Sequence, residues 1–178
     1  MNNIIGISGK IGSGKSELVR VLRFEGFLEL NFSTKLKEAV ALIFDVSLDR
    51  LYSRVGKETV DERWGLSPRF MLQRLGTEVG RNLHPDVWIY HVAKTCTAFK
   101  ENLKYVIGDV RFENEYKFVL SIGGVMWRIE RPNSQEIEPN ESNHVSETEV
   151  ELLPHHAFIA NSGTLEELEK KVKLLLYK

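Results

Sequence analysis

The run Gly9-Lys10-Ile11-Gly12-Ser13-Gly14-Lys15-Ser16 directly follows the apolar stretch Ile4–Ser8 and constrains this chain more than any other feature. It meets GxxxxGK[ST] at every fixed position. The context fits as well, because a strand pattern precedes it and a helix pattern follows. Glycines at these points let backbone N–H groups curl around a phosphate without Cβ clashes. The positive end of the following helix adds to the attraction. Lys15 then reaches the β- and γ-phosphates of a bound nucleotide, and Ser16 is placed to ligate Mg²⁺. An ordinary glycine-rich turn is the alternative, and the full match in strand-to-helix context argues against it.

The rest of the chain reads as strands alternating with helical segments. A helix is expected from about Gly14 to Glu25, closed by Gly26, and a second strand over Phe27–Asn31. Leu36, Val40 and Ile43 are spaced for a helix over Thr34–Phe44, and residues 47–53 add a turn. Charges and two glycines make 54–66 a loop. Ser67-Pro68 is a helix start, with serine as cap and proline at the first helical position, and that helix runs to about Asn82. Asp86 caps another helix to about Lys100. Tyr105–Gly108 and Val125–Ile129 are strands, with a helix over Glu113–Ser121 between them. Residues 132–155 lack a strong period. His156–Ala160 is a fifth strand, and Thr164–Leu176 is an amphipathic helix. This alternation predicts a parallel α/β sheet in one domain spanning 1–178. Within it, residues 32–103 form a helical substrate-side insertion.

Composition excludes several classes. The net charge of −1 shows no bias toward nucleic acid or an anionic membrane. No apolar run approaches the roughly 20 residues of a transmembrane helix, and the MNNIIGISG start lacks a signal-peptide pattern. The single cysteine, Cys96, forms no internal disulfide, which suits a reducing cytoplasm. Cys96 itself reads as a core residue. His144, His155 and His156 have no familiar metal spacing and read as surface or strand-edge residues.

A P-loop alone does not specify a reaction. No NKxD-type guanine-reading segment is present, which argues against a GTPase switch. The third strand ends in Gly108-Asp109-Val110-Arg111, one acid and then an arginine, unlike the acidic pair of motor ATPases. Asp109 at a strand's C-terminal end suits Mg²⁺, and Arg111 would point at the same phosphates. A helix cap and a surface salt bridge are the plainer readings of these two residues.

The chain resembles the nucleoside monophosphate kinase superfamily, and within it the bacteriophage-type deoxynucleoside monophosphate kinases. The matching residues are Gly9–Ser16, Asn31–Lys37, Ser67–Arg81 running on to Asp86-Val87-Trp88, and Asp109–Glu115. Arg131-Pro132, His144–Glu147 and Ala160–Thr164 also match. The resemblance implies a three-layer fold, a five-stranded parallel sheet in the order 2-3-1-4-5, a helical substrate-binding region and a short lid over 132–155. It implies ATP + dNMP giving ADP + dNDP with Mg²⁺, in the cytoplasm (the host's, if phage-encoded). It gives Gly9–Ser16, Arg131, Asn161, Gly163 and Thr164 to ATP, the last three as a turn around adenine. A plain strand-to-helix turn capped by Thr164 is the alternative there.

Catalytic charge falls to Lys15, Asp109, Arg111 and Arg131, and metal ligation to Ser16 and Asp109. Lys35, Arg69 and Arg74 are candidates for the acceptor phosphate, and Gln73 for a base edge. Trp88 either stacks on the base or fills the core. Arg81 and Glu78, three apart, are expected to pair. Residues 132–155 contain no Lys or Arg, so the clamp on the transferring group must come from Arg111, Arg128, Arg131 or the helical region. A kinase for another small acceptor, such as dephospho-coenzyme A or a sugar acid, remains an alternative, as does a slow nucleotide-dependent switch. Oligomeric state is open, with a homodimer among the options.

Overall fold

The computed structural model describes residues 3–96, 103–132 and 145–177. Strand β1 (Ile4–Ser8) is buried at every position, as a strand covered on both faces must be. In chain order there follow α1 (Lys15–Phe24), β2 (Phe27–Leu30), α2 (Thr34–Phe44), α3 (Leu48–Tyr52), α4 (Arg54–Glu58) and α5 (Pro68–Gln73). A π-helical stretch, Arg74–Arg81, continues α5 and leads to α6 (Val87–Cys96), β3 (Lys104–Ile107), α7 (Glu113–Ser121) and β4 (Val125–Glu130). The chain continues with α8 (Val145–Leu152), β5 (Ala157–Ala160) and α9 (Leu165–Leu176). The strands form one sheet in the order β2-β3-β1-β4-β5, and every pairing is parallel.

Contacts divide the chain into two compact units. The sheet unit comprises residues 1–31 and 98–178, and the helical unit residues 32–97. In the sheet unit, Ile5 and Ile7 of β1 pack with Leu18 and Leu22 of α1 and with Leu168 and Val172 of α9. Gly6, between them, faces the other way. A Cβ there would stand 2.5 Å from Met126 Sδ and 3.1 Å from Val119 of α7. Glycine thus lets α7 close against β1, and the sheet carries helices on both faces.

The helical unit has its own core of Val40, Val46, Leu51 and Met71, with Leu36, Phe44 and Leu75 packed against it. The segment 54–66, expected as a loop, is more ordered than its sequence suggests. It holds α4 and an antiparallel bridge between Asp61 and Leu66. The cause is polar. Arg50 donates to the carbonyls of Gly56 (3.2 Å) and Thr59 (2.7 Å) and to Asp61 Oδ2 (2.7 Å). One guanidinium thereby organises a stretch that has no hydrophobic period. Asp61 is 4% exposed and also accepts from Arg63, whose hydrogen bonds hold its carboxyl down to about 2. Trp64 completes the corner by donating to the Phe44 carbonyl at 2.9 Å.

The helix from Ser67 begins as expected, with Ser67 Oγ accepting from Phe70 N at 3.2 Å and Pro68 in the first turn. It does not stay α-helical to Asn82. From Arg74 to Arg81 the winding is π. A Cβ at Gly80 would stand 2.6 Å from the Trp88 ring, and Trp88 Nε1 donates to the Gly76 carbonyl at 2.9 Å. The widened turn and the indole fit together, and side-chain periodicity carries no sign of such winding. Within the expected lid, α8 is ordered from Val145. Glu136, Glu138, Glu141 and His144 lie outside the described residues.

Candidate active site

The phosphate loop leaves β1 at Ser8 and closes on itself through Ser13 N, which donates to the Lys10 carbonyl at 3.2 Å. Gly12 sits at φ +79 with open space where a side chain would stand, and Gly14, at φ +102, caps α1. Lys15 folds back across the loop. Its Nζ donates to the Gly9 carbonyl and, at 2.7 Å, to that of Lys10. Ser16 is exposed on the first turn of α1, and Ile11 lines the loop half-buried. The Ser13 hydroxyl is buried and has no hydrogen-bond partner. A glycine-shaped cradle at a helix N-terminus fits a polyphosphate.

The Asp109 segment is held at the same edge of the sheet. Gly108 N donates to Leu30 of β2 and Val110 N to Ile7 of β1, each at 3.1 Å, so Asp109 is bracketed by two fixed points. Asp109 and Arg111 are both half-buried. Glu115, 2% exposed, accepts from the backbone N–H of Arg111 (2.7 Å) and Phe112 (3.1 Å). This carboxylate in the first turn of α7 locks the route from Asp109 to Arg111. The hydroxyl of Ser16 and the carboxylate of Asp109 are hard oxygen donors of the kind Mg²⁺ takes. No cluster of three or more His, Cys, Asp or Glu suited to a metal occurs among the described residues.

Lys10 pairs with Glu151 of α8, and the Arg128 guanidinium donates to the Glu151 carbonyl and Glu130 carboxylate, both at 2.7 Å. Arg131 is exposed just past β4. Asn161 is buried, and its side-chain amide donates to the Ser13 carbonyl at 3.0 Å. Thr164 Oγ1 accepts from Glu167 N at 3.3 Å while the Glu167 carboxylate accepts from Thr164 N at 3.2 Å. Gly163 lies under that carboxylate. The turn therefore has the capped form that its sequence allowed, and Asn161 faces the phosphate loop.

In the helical unit each expected acceptor cation sits on a carboxylate. Lys35 pairs with Glu38 at 2.5 Å, Arg69 with Glu58, and Arg74 with Glu78. Arg74 also lies 5.0 Å from the centre of the Phe70 ring. Glu78 thus meets Arg74, and Arg81 donates to the Pro85 carbonyl at 3.1 Å. Gln73 and Trp88 are half-buried, the indole being occupied by the Gly76 carbonyl. Cys96 is buried, which pushes its thiol up to about 11, and His156 Nδ1 accepts from Met126 N at a strand edge.

The sequence profile of the deoxynucleotide monophosphate kinase family matches residues 31–172. A protein of Acanthamoeba polyphaga mimivirus named "Putative deoxynucleotide monophosphate kinase" is 32% identical, over 95% of this chain and 93% of its own. The chain belongs to the deoxynucleotide monophosphate kinase family.

Solved structures agree on the fold of this family member. TT1252 from Thermus thermophilus superposes with a TM-score of 0.56 at 21% identity, over 99% of this chain and 97% of its own. Dephospho-CoA kinase from Campylobacter jejuni gives 0.57 at 14% identity, over 99% and 96%. Shikimate kinase from Aquifex aeolicus gives 0.53 at 15% identity, over 98% and 96%. The protein is a nucleotide kinase with the P-loop kinase fold. Four residues make contacts that the sequence had not assigned to them: Glu115 with the backbone of Arg111 and Phe112, Asn161 with the Ser13 carbonyl, and Glu58 and Glu78 with Arg69 and Arg74. An acid at the third position of a helix was the available signal for Glu115. Glu78, four residues from Arg74 on one helical stretch, was open to a local reading, whereas Asn161 and Glu58 depend on chain segments that meet only in the fold.

Proposed function

We propose that this kinase transfers the γ-phosphoryl group of ATP to a deoxynucleoside monophosphate, giving ADP and the deoxynucleoside diphosphate. The observation that carries the reading is the cradle of Gly9–Ser16 with Lys15 folded over it, in a chain of the deoxynucleotide monophosphate kinase family. The backbone amides of the loop bind the β- and γ-phosphates, and Lys15 exchanges its carbonyl partners for phosphate oxygens. Ser16 and Asp109 would hold Mg²⁺, which when bound neutralises charge on the β- and γ-oxygens. An oxygen of the acceptor's phosphate attacks the γ-phosphorus. The bond from γ-phosphorus to the bridging oxygen breaks, and ADP leaves with the electron pair. Arg111 and Arg131 supply positive charge as the transferring group passes between the two oxygens.

The acceptor's contacts are assigned to the helical unit: Lys35, Arg69 and Arg74 for its phosphate, Gln73 for its base, and Trp88 beside the base. Arg131, Gly163 and Thr164 flank the adenosine of ATP. The test is ADP formation from ATP and Mg²⁺ with a panel of dNMPs, NMPs and dephospho-coenzyme A. Turnover with dNMPs in preference to NMPs is expected. Turnover with dephospho-coenzyme A alone would leave the fold and loop standing and remove the acceptor assignment.

A further inference from the structure

We infer that Asn161 is a positioning residue for the phosphate loop, acting through the Ser13 carbonyl, and does not read the adenine base. The inference rests on the reading of Gly9–Ser16 as the ATP site and names a part of that site's machinery. Asn161 is 6% exposed. Its main chain is fixed to the neighbouring strand, with Asn161 N donating to the Glu130 carbonyl at 2.7 Å. From that anchor its Nδ2 donates to the Ser13 carbonyl at 3.0 Å. The space is exclusive: a Cβ on Gly14 would stand 2.2 Å from the same Nδ2. Glycine at 14 thus makes room for the amide as well as for the left-handed turn.

The geometry has a direct consequence for phosphate binding. The Ser13–Gly14 peptide is trans, like every described peptide of the chain, so its C=O and N–H point in opposite directions across one plane. Pinning the Ser13 carbonyl against Asn161 therefore aims the Gly14 N–H the opposite way, away from Asn161. Without the tether, the carbonyl would be a buried acceptor lacking its partner, and rotation of the peptide would relieve it. That rotation would also misaim a phosphate-binding amide. An adenine reader, in contrast, must present its amide to the ligand, whereas this one, 6% exposed, already spends an Nδ2 donor on the Ser13 carbonyl.

The test compares ATP with inorganic tripolyphosphate, which has phosphates but no base. Both are titrated with Mg²⁺ into the full chain by calorimetry. Asn161→Ala should weaken both ligands by the same factor, roughly tenfold for a lost buried hydrogen bond. Weaker ATP binding with unchanged tripolyphosphate binding would make Asn161 a base reader and overturn the inference, as would no change in either. Asn161→Asp adds a pH readout. Its carboxylate repels the Ser13 carbonyl, and its protonated form regains a donor. Tripolyphosphate affinity should therefore recover relative to Asn161→Ala as pH falls. Should Asn161→Ala not fold, that recovery decides alone, and a flat profile against wild type overturns the inference. Wild-type protein that binds both ligands yet phosphorylates no dNMP removes the proposed acceptor and leaves the tether intact. Wild-type protein that binds neither removes both readings.

Discussion

The lysine of the phosphate loop and the cations assigned to the acceptor meet different partners. In the sheet unit, Lys15 rests on two main-chain carbonyls, which carry no net charge. In the helical unit, Lys35, Arg69 and Arg74 each rest on a carboxylate. A phosphate arriving at Lys15 can take over N–H donors that main-chain carbonyls now hold. On the proposed assignment, one arriving at Arg74 meets a guanidinium already paired with Glu78, which offsets part of the attraction. On that assignment, the helical unit would hold the acceptor's charge conditionally, with discrimination left to neutral contacts such as Gln73.

The widest gap between the units should appear at Lys15. Lys15→Ala should lower turnover on the order of a hundredfold or more while the protein stays folded, read by steady-state ADP formation and thermal melting. Near-normal turnover would erase the contrast at its strongest point. Asp109→Asn should follow, with about a tenfold or greater loss and a higher Mg²⁺ requirement in a metal titration. EDTA should abolish activity and Mg²⁺ restore it.

Effects in the helical unit should be smaller and of two kinds. Gln73→Ala should separate the accepted bases by roughly 1–3 kcal/mol in kcat/KM, as expected when a half-buried polar contact is lost. Arg74→Ala should raise KM for every accepted dNMP by a similar factor of about three to ten, since an exposed cation adds little. Glu78→Gln should leave KM unchanged or lower it, because the competing anion is gone. A rise in KM for Glu78→Gln would show that the pair orients Arg74 and does not restrain it.

The smallest effect is one of pH. The folded Asp61 carboxyl is held at about 2 against an ordinary 3.8. Its contribution to stability is therefore complete above about pH 4 to 5 and fades as pH falls through 3.8 toward 2. Asp61→Asn should melt earlier than wild type at neutral pH, and the two curves should converge toward pH 2. Trp64 fluorescence follows this, since its indole closes the same corner.

The sheet unit was legible because its elements obey local rules. Buried strands, a glycine loop and capped helices each leave a signature a few residues long, and Gly9–Ser16 and Ala160–Thr164 stand where those signatures put them. The helical unit was legible only as helix. Arg50 and Asp61 order 54–66 through ion pairs between residues eleven apart, a distance that no periodicity covers. The π winding from Arg74 occurs where Trp88 docks against Gly80 and the Gly76 carbonyl, a contact that only the folded unit contains. Gln73 and Trp88 were nameable as candidates from residue type. Of the partners of Lys35, Arg69 and Arg74, Glu38 and Glu78 lie within one helical turn and were open to local reading, whereas Glu58, eleven residues from Arg69, was not.

The way the sheet is threaded has a consequence for the order in which the protein takes shape. Central β1 hydrogen-bonds on both sides to strands that lie after the helical unit in the chain. During synthesis, residues 32–97 emerge as one continuous stretch with a core of their own, before β1 has either neighbour. Local contacts form quickly and distant ones wait on the chain. The helical unit should therefore protect its amides from exchange earliest, and the phosphate loop should be among the last parts to set. A pulse-labelling experiment that finds β1 protected first would reverse that order.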